Sequence, residues 1–413
     1  MQGSLRGTQF NKLLIGQAFS FFGDALISIA LAFAVLQITK SPVALGMVLF
    51  ASRGLLAVFS LFGGVLADRF NRKTVMLSAD LARMAIQAIT AILILTGECT
   101  ILALAILQAI SGIATAFFNP ASMGIIPEIT PNESLQQANS LLGLLRNATG
   151  IGALAASGAL VATTGPGIAF AIDAGTFLIS SIAISLLKKP RSEHGRQPTT
   201  IFADLRDGWH EFSSKKWIVA AVLHIGLLNL VALAPFFVLG PLVADKQFGG
   251  APAWAAVAIC FALGAIAGGL LATRIRPARP LIAAFCAVFL IAPQLLALAI
   301  PAPLFVICIA ASLGGLQATL FEATWLTTVQ RNVSGELLSR VNSFELLVTT
   351  IFAPVGYALA GPAVELLGTR STLIIGAGWV VISTIGVLTL PSVRTLTWPE
   401  EKLEKQSTAS SVK

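Results

Sequence analysis

Residues 63–77 read GGVLADRFNRKTVML. The stretch sets Asp68, Arg69, Arg72 and Lys73 between two oily runs, in a chain of 413 residues of which 56% are hydrophobic and only 11% charged. Soluble proteins carry roughly a quarter charged residues. Apolar runs of about 20 residues recur on both sides of this stretch, the length that crosses a bilayer as a helix. A spanning segment must satisfy its backbone internally, which leaves helices or a closed barrel. The runs are too long and too uniformly apolar for the alternation of barrel strands. The charges at 68–73 therefore belong to a loop outside the lipid.

Working outward from that loop, the sequence divides into twelve expected spans: 13–39, 42–66, 75–96, 101–126, 138–162, 167–187, 217–243, 252–273, 280–299, 303–329, 338–364 and 371–390. Pro and Gly punctuate the joints, as at Ser41-Pro42, Gly165-Pro166 and Pro301-Ala302-Pro303. With the N-terminus inside, only Lys40, Lys246 and Arg370 of the 27 Lys and Arg residues fall outside, and Arg53, Arg83 and Arg146 fall within spans. That asymmetry puts both termini in the cytoplasm and the 68–73 loop with them. It also accounts for the net charge of +8 without nucleic acid. Cys99, Cys260, Cys286 and Cys308 lie in or at the ends of spans with no CxxC pairing, and read as packing residues rather than metal ligands or a disulfide framework. The start, MQGSLRGTQFNK, lacks a short apolar region with a cleavage site, so the first span reads as retained. No G-x-x-x-x-G-K-[ST] loop occurs, so energy is expected from an ion gradient or the substrate's own gradient. No cofactor and no metal is expected, and no enzyme activity.

The domain expectation is a six-helix half over 1–187, a cytoplasmic linker over 188–216, a second six-helix half over 217–391 and a cytoplasmic tail over 392–413. Within the linker, 201–212 reads equally as an amphipathic surface helix or as solvated chain. The halves repeat. Glu133, Leu135, Asn139, Ser140, Gly158 and Gly165 recur, in order and spacing, as Glu336, Leu338, Asn342, Ser343, Gly361 and Gly368. GGVLADR at 63–69 recurs as GGLLATR at 268–274. Even numbers of spans give the two copies one orientation, an architecture of secondary transporters with the substrate site between the halves.

Gly64-Val65-Leu66-Ala67-Asp68-Arg69-Phe70-Asn71-Arg72-Lys73 resembles the signature of the major facilitator superfamily, G-x-L-A-D-R-x-G-R-K, with Asn71 in place of the second glycine. Asparagine tolerates positive φ better than most residues, so the turn is expected to survive. The resemblance implies the all-α major facilitator fold and a gate role for Gly64, Asp68, Arg69, Arg72 and Lys73, which hold the halves together on the cytoplasmic side. The bland alternative is an ordinary positive-inside loop. Thr273 stands where the second copy would have its aspartate.

FFNPASMGIIPEITPNESLQQANSL, 117–141, with Gly23-Asp24, looks like the branch containing macrolide-type drug exporters and the enterobactin exporter. The drug–proton antiporters of the superfamily differ at two places. Their helix-4 arginine is Gln108 here, and their helix-5 motif is reduced to GIGALAASG without its proline. The likeness implies a multi-pass protein of a bacterial cytoplasmic membrane, a monomer, that exports amphipathic drug-like molecules such as macrolides. A siderophore or other secreted metabolite, or nutrient import, are the alternatives.

Asp24 is the first candidate for coupling. It sits about 11 residues into the first span, roughly 17 Å deep at 1.5 Å per residue. Gln17, Ser20, Asp24 and Ser28 share a helical face, which reads as a wet cavity wall. A carboxylate at that depth must face water or a partner. It is either a proton carrier or a fixed ion pair, with Arg53 or Arg146 as the expected partner. Glu322 is the second-half counterpart, able to take a cation or a proton. Asp80 and Arg83, three apart, read as a local structural pair, and Asp173 as capping or packing. Gln108, Asn119, His224 and Asn229 are candidate cavity residues; a lone membrane histidine is equally a structural one. Phe321 and Trp325 flank the Glu322 turn and either contact a lipophilic substrate or pack.

Overall fold

The computed structural model describes residues 9–131, 134–188, 213–275, 277–300, 302–333 and 335–397, with side chains described throughout these except at 61–69 and 335–350. Every regular element among the described residues is a helix. In order they are α1 (Gln9–Ile38), α2 (Pro42–Arg69), α3 (Arg72–Thr96), α4 (Ile101–Ile129), α5 (Leu135–Thr164), α6 (Pro166–Ser185), α7 (Lys216–Gln247), α8 (Ala251–Arg274), α9 (Pro280–Ala299), α10 (Leu304–Asn332), α11 (Gly335–Leu367) and α12 (Thr369–Thr389), with a last short turn at Pro391–Arg394. Among the described residues, eleven helices are long and apolar enough to cross a membrane, and the Ile351–Leu367 part of α11 is a shorter apolar stretch. Outward-facing side chains such as Leu102, Met123, Phe305 and Leu366 are apolar and mostly exposed, a surface suited to lipid rather than water.

Local chemistry explains the breaks. Gly97 ends α3 in the left-handed region, with φ 79° and its N–H on Ile94 O. Thr100 opens α4, its hydroxyl accepting from Ala103 N at 3.1 Å. Gly165 and Gly368, paired in the sequence repeat, make the same corner before α6 and α12, with φ 80° and 81°. A side chain there would be strained, which is why both positions are glycine. At Asn71 the sequence expectation fails. Its φ is −63°, so no left-handed turn exists; Asn71 is the N-cap of α3, with Oδ1 accepting from Thr74 N at 3.4 Å. An asparagine side chain caps a helix, which a glycine cannot do.

Two helices depart from a single α-helical run. α7 contains a π-turn at Asn229–Leu233, and α9 is interrupted around Phe289–Leu290. The helix ends also differ from the expected spans: α1 begins at Gln9 and α6 stops at Ser185. The 201–212 segment lies outside the described residues.

The chain gathers into two compact units. One takes Met1–Gly195 with Phe237–Ile259 and Tyr357–Glu365; the other takes Arg196–Phe236, Cys260–Gly356 and Leu366–Lys413. In the first, α2 and α4 cross at Gly112, where an added Cβ would collide with Ser52 O. In the second, α8 and α10 meet in the same manner, through Gly264 on Ser312 O and Gly315 on Phe261 O. Small residues let backbones touch where lipid supplies no hydrophobic drive for helices to associate.

Candidate functional site

The polar chemistry of the first unit converges on Arg83. Four polar residues of α3, Asp80, Arg83, Gln87 and Thr90, follow helical spacing and are all buried. On α6, Asp173, Thr176 and Ser180 do the same. The two stripes face each other. Arg83 Nη2 donates to Asp80 Oδ1, and Ser180 Oγ donates to Asp80 Oδ2 at 2.6 Å. Gln87 Nε2 donates to Asp173 Oδ2 at 2.9 Å, and Gln108 of α4 donates its Nε2 to Gln87 Oε1 at 3.1 Å.

Arg83 is 1% exposed. Its guanidinium lies between two rings, 4.2 Å from the Phe118 centroid and 4.3 Å from that of Phe177. A desolvated cation–π contact contributes about 2 kcal/mol. Only one edge of the fork is used: Nε and Nη1 are buried with no hydrogen-bond partner among the described residues. Nη1 points toward Asp24 of α1, 3.9 Å from its Oδ1. Asp24 is half-exposed, whereas Asp80 is fully buried. One cation thus serves two carboxylates, one sealed and one wet.

The expected partners of Asp24 take second place. Arg53 and Arg146 are both exposed and act on Asp24 through their charge at longer range. Arg146 lies 4.6 Å over the Phe21 ring. The shared face of α1 also divides. Asp24 and Ser28 are exposed, with Ser28 Oγ on Ala25 O at 2.6 Å. Gln17 and Ser20 are 3% and 2% exposed, so they pack inside the unit and line no wet wall. Gln17 Nε2 donates to Ser122 Oγ of α4 at 3.0 Å, which explains its burial. Gln108 is buried as well, fastened to Gln87, while Asn119 is exposed. The Asp80–Arg83 pair is wider than a local one, because Arg83 contacts α1, α4 and α6. Asp173, expected to cap or pack, is buried and part of the same polar system.

In the second unit the candidates fall into an aromatic chain. Phe321 stacks on Trp325 at 6.3 Å and 9°, Trp325 meets Trp217 edge-on at 5.6 Å, and Phe285 bridges Phe321 and His224. His224 is buried, its Nε2 3.5 Å from Thr384 Oγ1. Asn229, half-buried, starts the π-turn of α7. Glu322 is exposed beside the stacked pair, which is itself buried.

At the loop that opened the sequence, Arg72 Nη1 donates to Gly124 O at 2.6 Å and to Glu128 at 2.8 Å. Lys73 Nζ caps the last carbonyls of α6, Ser185 O at 2.7 Å and Leu187 O. A cation there offsets the partial negative charge of a helix C-terminus. Both residues bind within the first unit. The side chains of Gly64, Asp68 and Arg69 lie outside the described residues.

Long apolar helices, each unit packed through glycines, and a buried ionic centre touching a wet carboxylate define a multi-helix membrane transporter. The Major Facilitator Superfamily model matches residues 13–351. The chain belongs to that family, a class of transporters and not of enzymes. It is 24% identical over 394 residues to macrolide efflux protein A of Streptococcus pyogenes, covering 94% of this chain and 97% of the relative. It is 25% identical over 415 residues to the multidrug efflux pump Tap of Mycobacterium tuberculosis, covering 96% of each. Among solved structures it matches the nucleoside transporter NupG with a TM-score of 0.73 at 14% identity, over 92% of this chain and 98% of that one. The chain is a multi-pass membrane protein, consistent with the inner membrane of a bacterium.

Proposed function

We propose that the protein is a proton-coupled exporter of amphipathic, drug-like compounds such as macrolides, working by alternating access with both termini in the cytoplasm. The observation that carries the coupling is the geometry at Arg83: a buried guanidinium bonded to buried Asp80, with a spare donor 3.9 Å from half-exposed Asp24. When Asp24 holds a proton it is neutral and Arg83 stays with Asp80. When Asp24 releases the proton, its charge draws the spare Nη1 and closes the gap. α1 is thereby held differently against α3 in the two protonation states, and a state preference of that kind is what couples proton entry to substrate exit. Efflux of macrolides and other drugs by the two relatives supports the direction and substrate class.

Everted membrane vesicles with an imposed proton gradient test this reading. Macrolides, other drugs and siderophores are added in turn and proton release is followed. The expected result is substrate-triggered flux in wild type and none in Asp24→Asn at equal expression. Flux that survives in the variant would make Asp24 structural and turn attention to Glu322. Accumulation of a compound without proton flux would overturn the coupling.

A further inference from the structure

Asp173 is a carboxyl group in an unusual position. It is 0% exposed, in the middle of the first unit, and no cation bonds it among the described residues. Its Oδ2 accepts from Gln87 Nε2 at 2.9 Å. Its Oδ1 lies 3.2 Å from Thr176 Oγ1. The Thr176 hydroxyl has one hydrogen, and the shorter bond, 2.7 Å, runs to the main-chain oxygen of Asp173 itself. The hydrogen between Thr176 Oγ1 and Asp173 Oδ1 is either the hydroxyl's, shared with the main-chain oxygen, or one carried by the carboxyl group. A bond of 2.7 Å to the main chain against 3.2 Å to Oδ1 favours the second.

The surroundings point the same way. The charged groups that act on Asp173 are Asp24 from α1 and Arg83 from α3. Arg83 is bonded to Asp80, and Asp24 carries the same sign as an ionised Asp173. α1 meets the carboxyl at Gly23, where an added Cβ would collide with Asp173 Oδ1 and Thr176 Oγ1. A glycine brings an apolar backbone carbon, and no donor, onto that oxygen. A buried ion without a partner is strongly disfavoured against its neutral form.

We infer that Asp173 is a proton-binding site filled in the resting protein: a neutral carboxylic acid whose Oδ1–H donates to Thr176 Oγ1 while Oδ2 accepts from Gln87. The acid fastens α6 to α3 and, through Gly23, allows α1 to lie against both. It also leaves Asp24 as the carboxyl that answers to Arg83, so one proton of the two is exchanged and one stays. This last step rests on the proton-coupled reading; the proton on Asp173 does not.

Infrared spectroscopy of the purified full-length protein in lipid nanodiscs reads the acid directly. At neutral pH a carboxylic C=O band is expected in wild type, absent from Asp173→Asn, displaced in Thr176→Val and retained in Asp24→Asn. Thr176→Val keeps the acid and removes its acceptor, so it decides the matter if Asp173→Asn does not fold. An unchanged carboxylic region in Asp173→Asn, or no displacement in Thr176→Val, would overturn the assignment. An Asp173 band that stands while vesicles show no proton flux would sink the exporter mechanism and leave the buried acid in place.

Discussion

The two units solve the problem of a membrane core with different chemistry. The centre of the first is ionic: Asp80 and Arg83 sealed between α3, α4 and α6, with Gln87, Gln108 and Asp173 alongside. The centre of the second is aromatic: Trp217, Trp325, Phe321 and Phe285 in edge and stacked contact, with His224 at one end. An ionic centre is all-or-none, because removing one partner strands the other, whereas an aromatic one loses contact area piece by piece. Under the proposed function, proton exchange belongs to the first unit, at Asp24, and the second unit is held by packed aromatic rings.

The sharpest way to break that comparison is Arg83→Met. It leaves Asp80 buried without a cation, and losing one partner of a buried pair costs about 3–5 kcal/mol. A large fall in the thermal midpoint of the purified protein is expected, and Asp80→Leu combined with Arg83→Met should recover most of it. If the single variant melts like wild type, the ionic centre is not what holds the unit together. Next comes Gly23→Ala, which pushes a methyl group into Asp173 and Thr176; overpacking of this kind costs about 1–3 kcal/mol. Its melting temperature should fall, with a smaller fall when Thr176→Ala removes the colliding hydroxyl. In the second unit, Phe321→Leu removes a stacked ring worth about 1 kcal/mol. It should lower the thermal midpoint less than Arg83→Met does, while substrate-triggered proton flux persists. Loss of flux there would erase the division of labour. The smallest effect is expected from Lys40→Ala, which breaks an exposed 2.7 Å pair with Asp245 inside the first unit. Such pairs contribute about 0.2–1 kcal/mol, and the variant's midpoint should lie within a degree or two of wild type.

The helical membrane fold and the family signature are legible in the sequence because bilayer thickness and the cost of unpaired backbone leave few choices. Asp24 is legible for a related reason: a charge that deep demands an explanation. Its partner is not. Asp80 and Arg83 are three residues apart, and that spacing offers a complete local account that hides what Phe118 and Phe177 bring from α4 and α6. The signal was present in the polar stripes of α3 and α6, which run through Asp80, Arg83, Gln87 and Thr90 and through Asp173, Thr176 and Ser180. Gln17 and Ser20 show the converse. Periodicity places them on one stripe with Asp24, but says nothing of the Ser122 side chain that covers Gln17. Asn71 reads as a substitute for glycine if the position is a left-handed turn; the helix that follows uses its side chain as a cap instead.

The π-turn at Asn229–Leu233 has a consequence for the facing of α7. A π-turn holds one residue more than the α-helical turn it replaces. Each residue of an α-helix advances about 100° around the axis, at 3.6 residues per turn. A helical wheel drawn straight through α7 therefore mislabels the facing of every residue after Leu233, and an alignment that ignores the extra residue shifts the second part of α7 by one position. Deleting one residue between Asn229 and Leu233 would restore a plain helix and rotate that part by about a quarter turn. The length of this segment, as much as its composition, decides which way the second part of α7 faces.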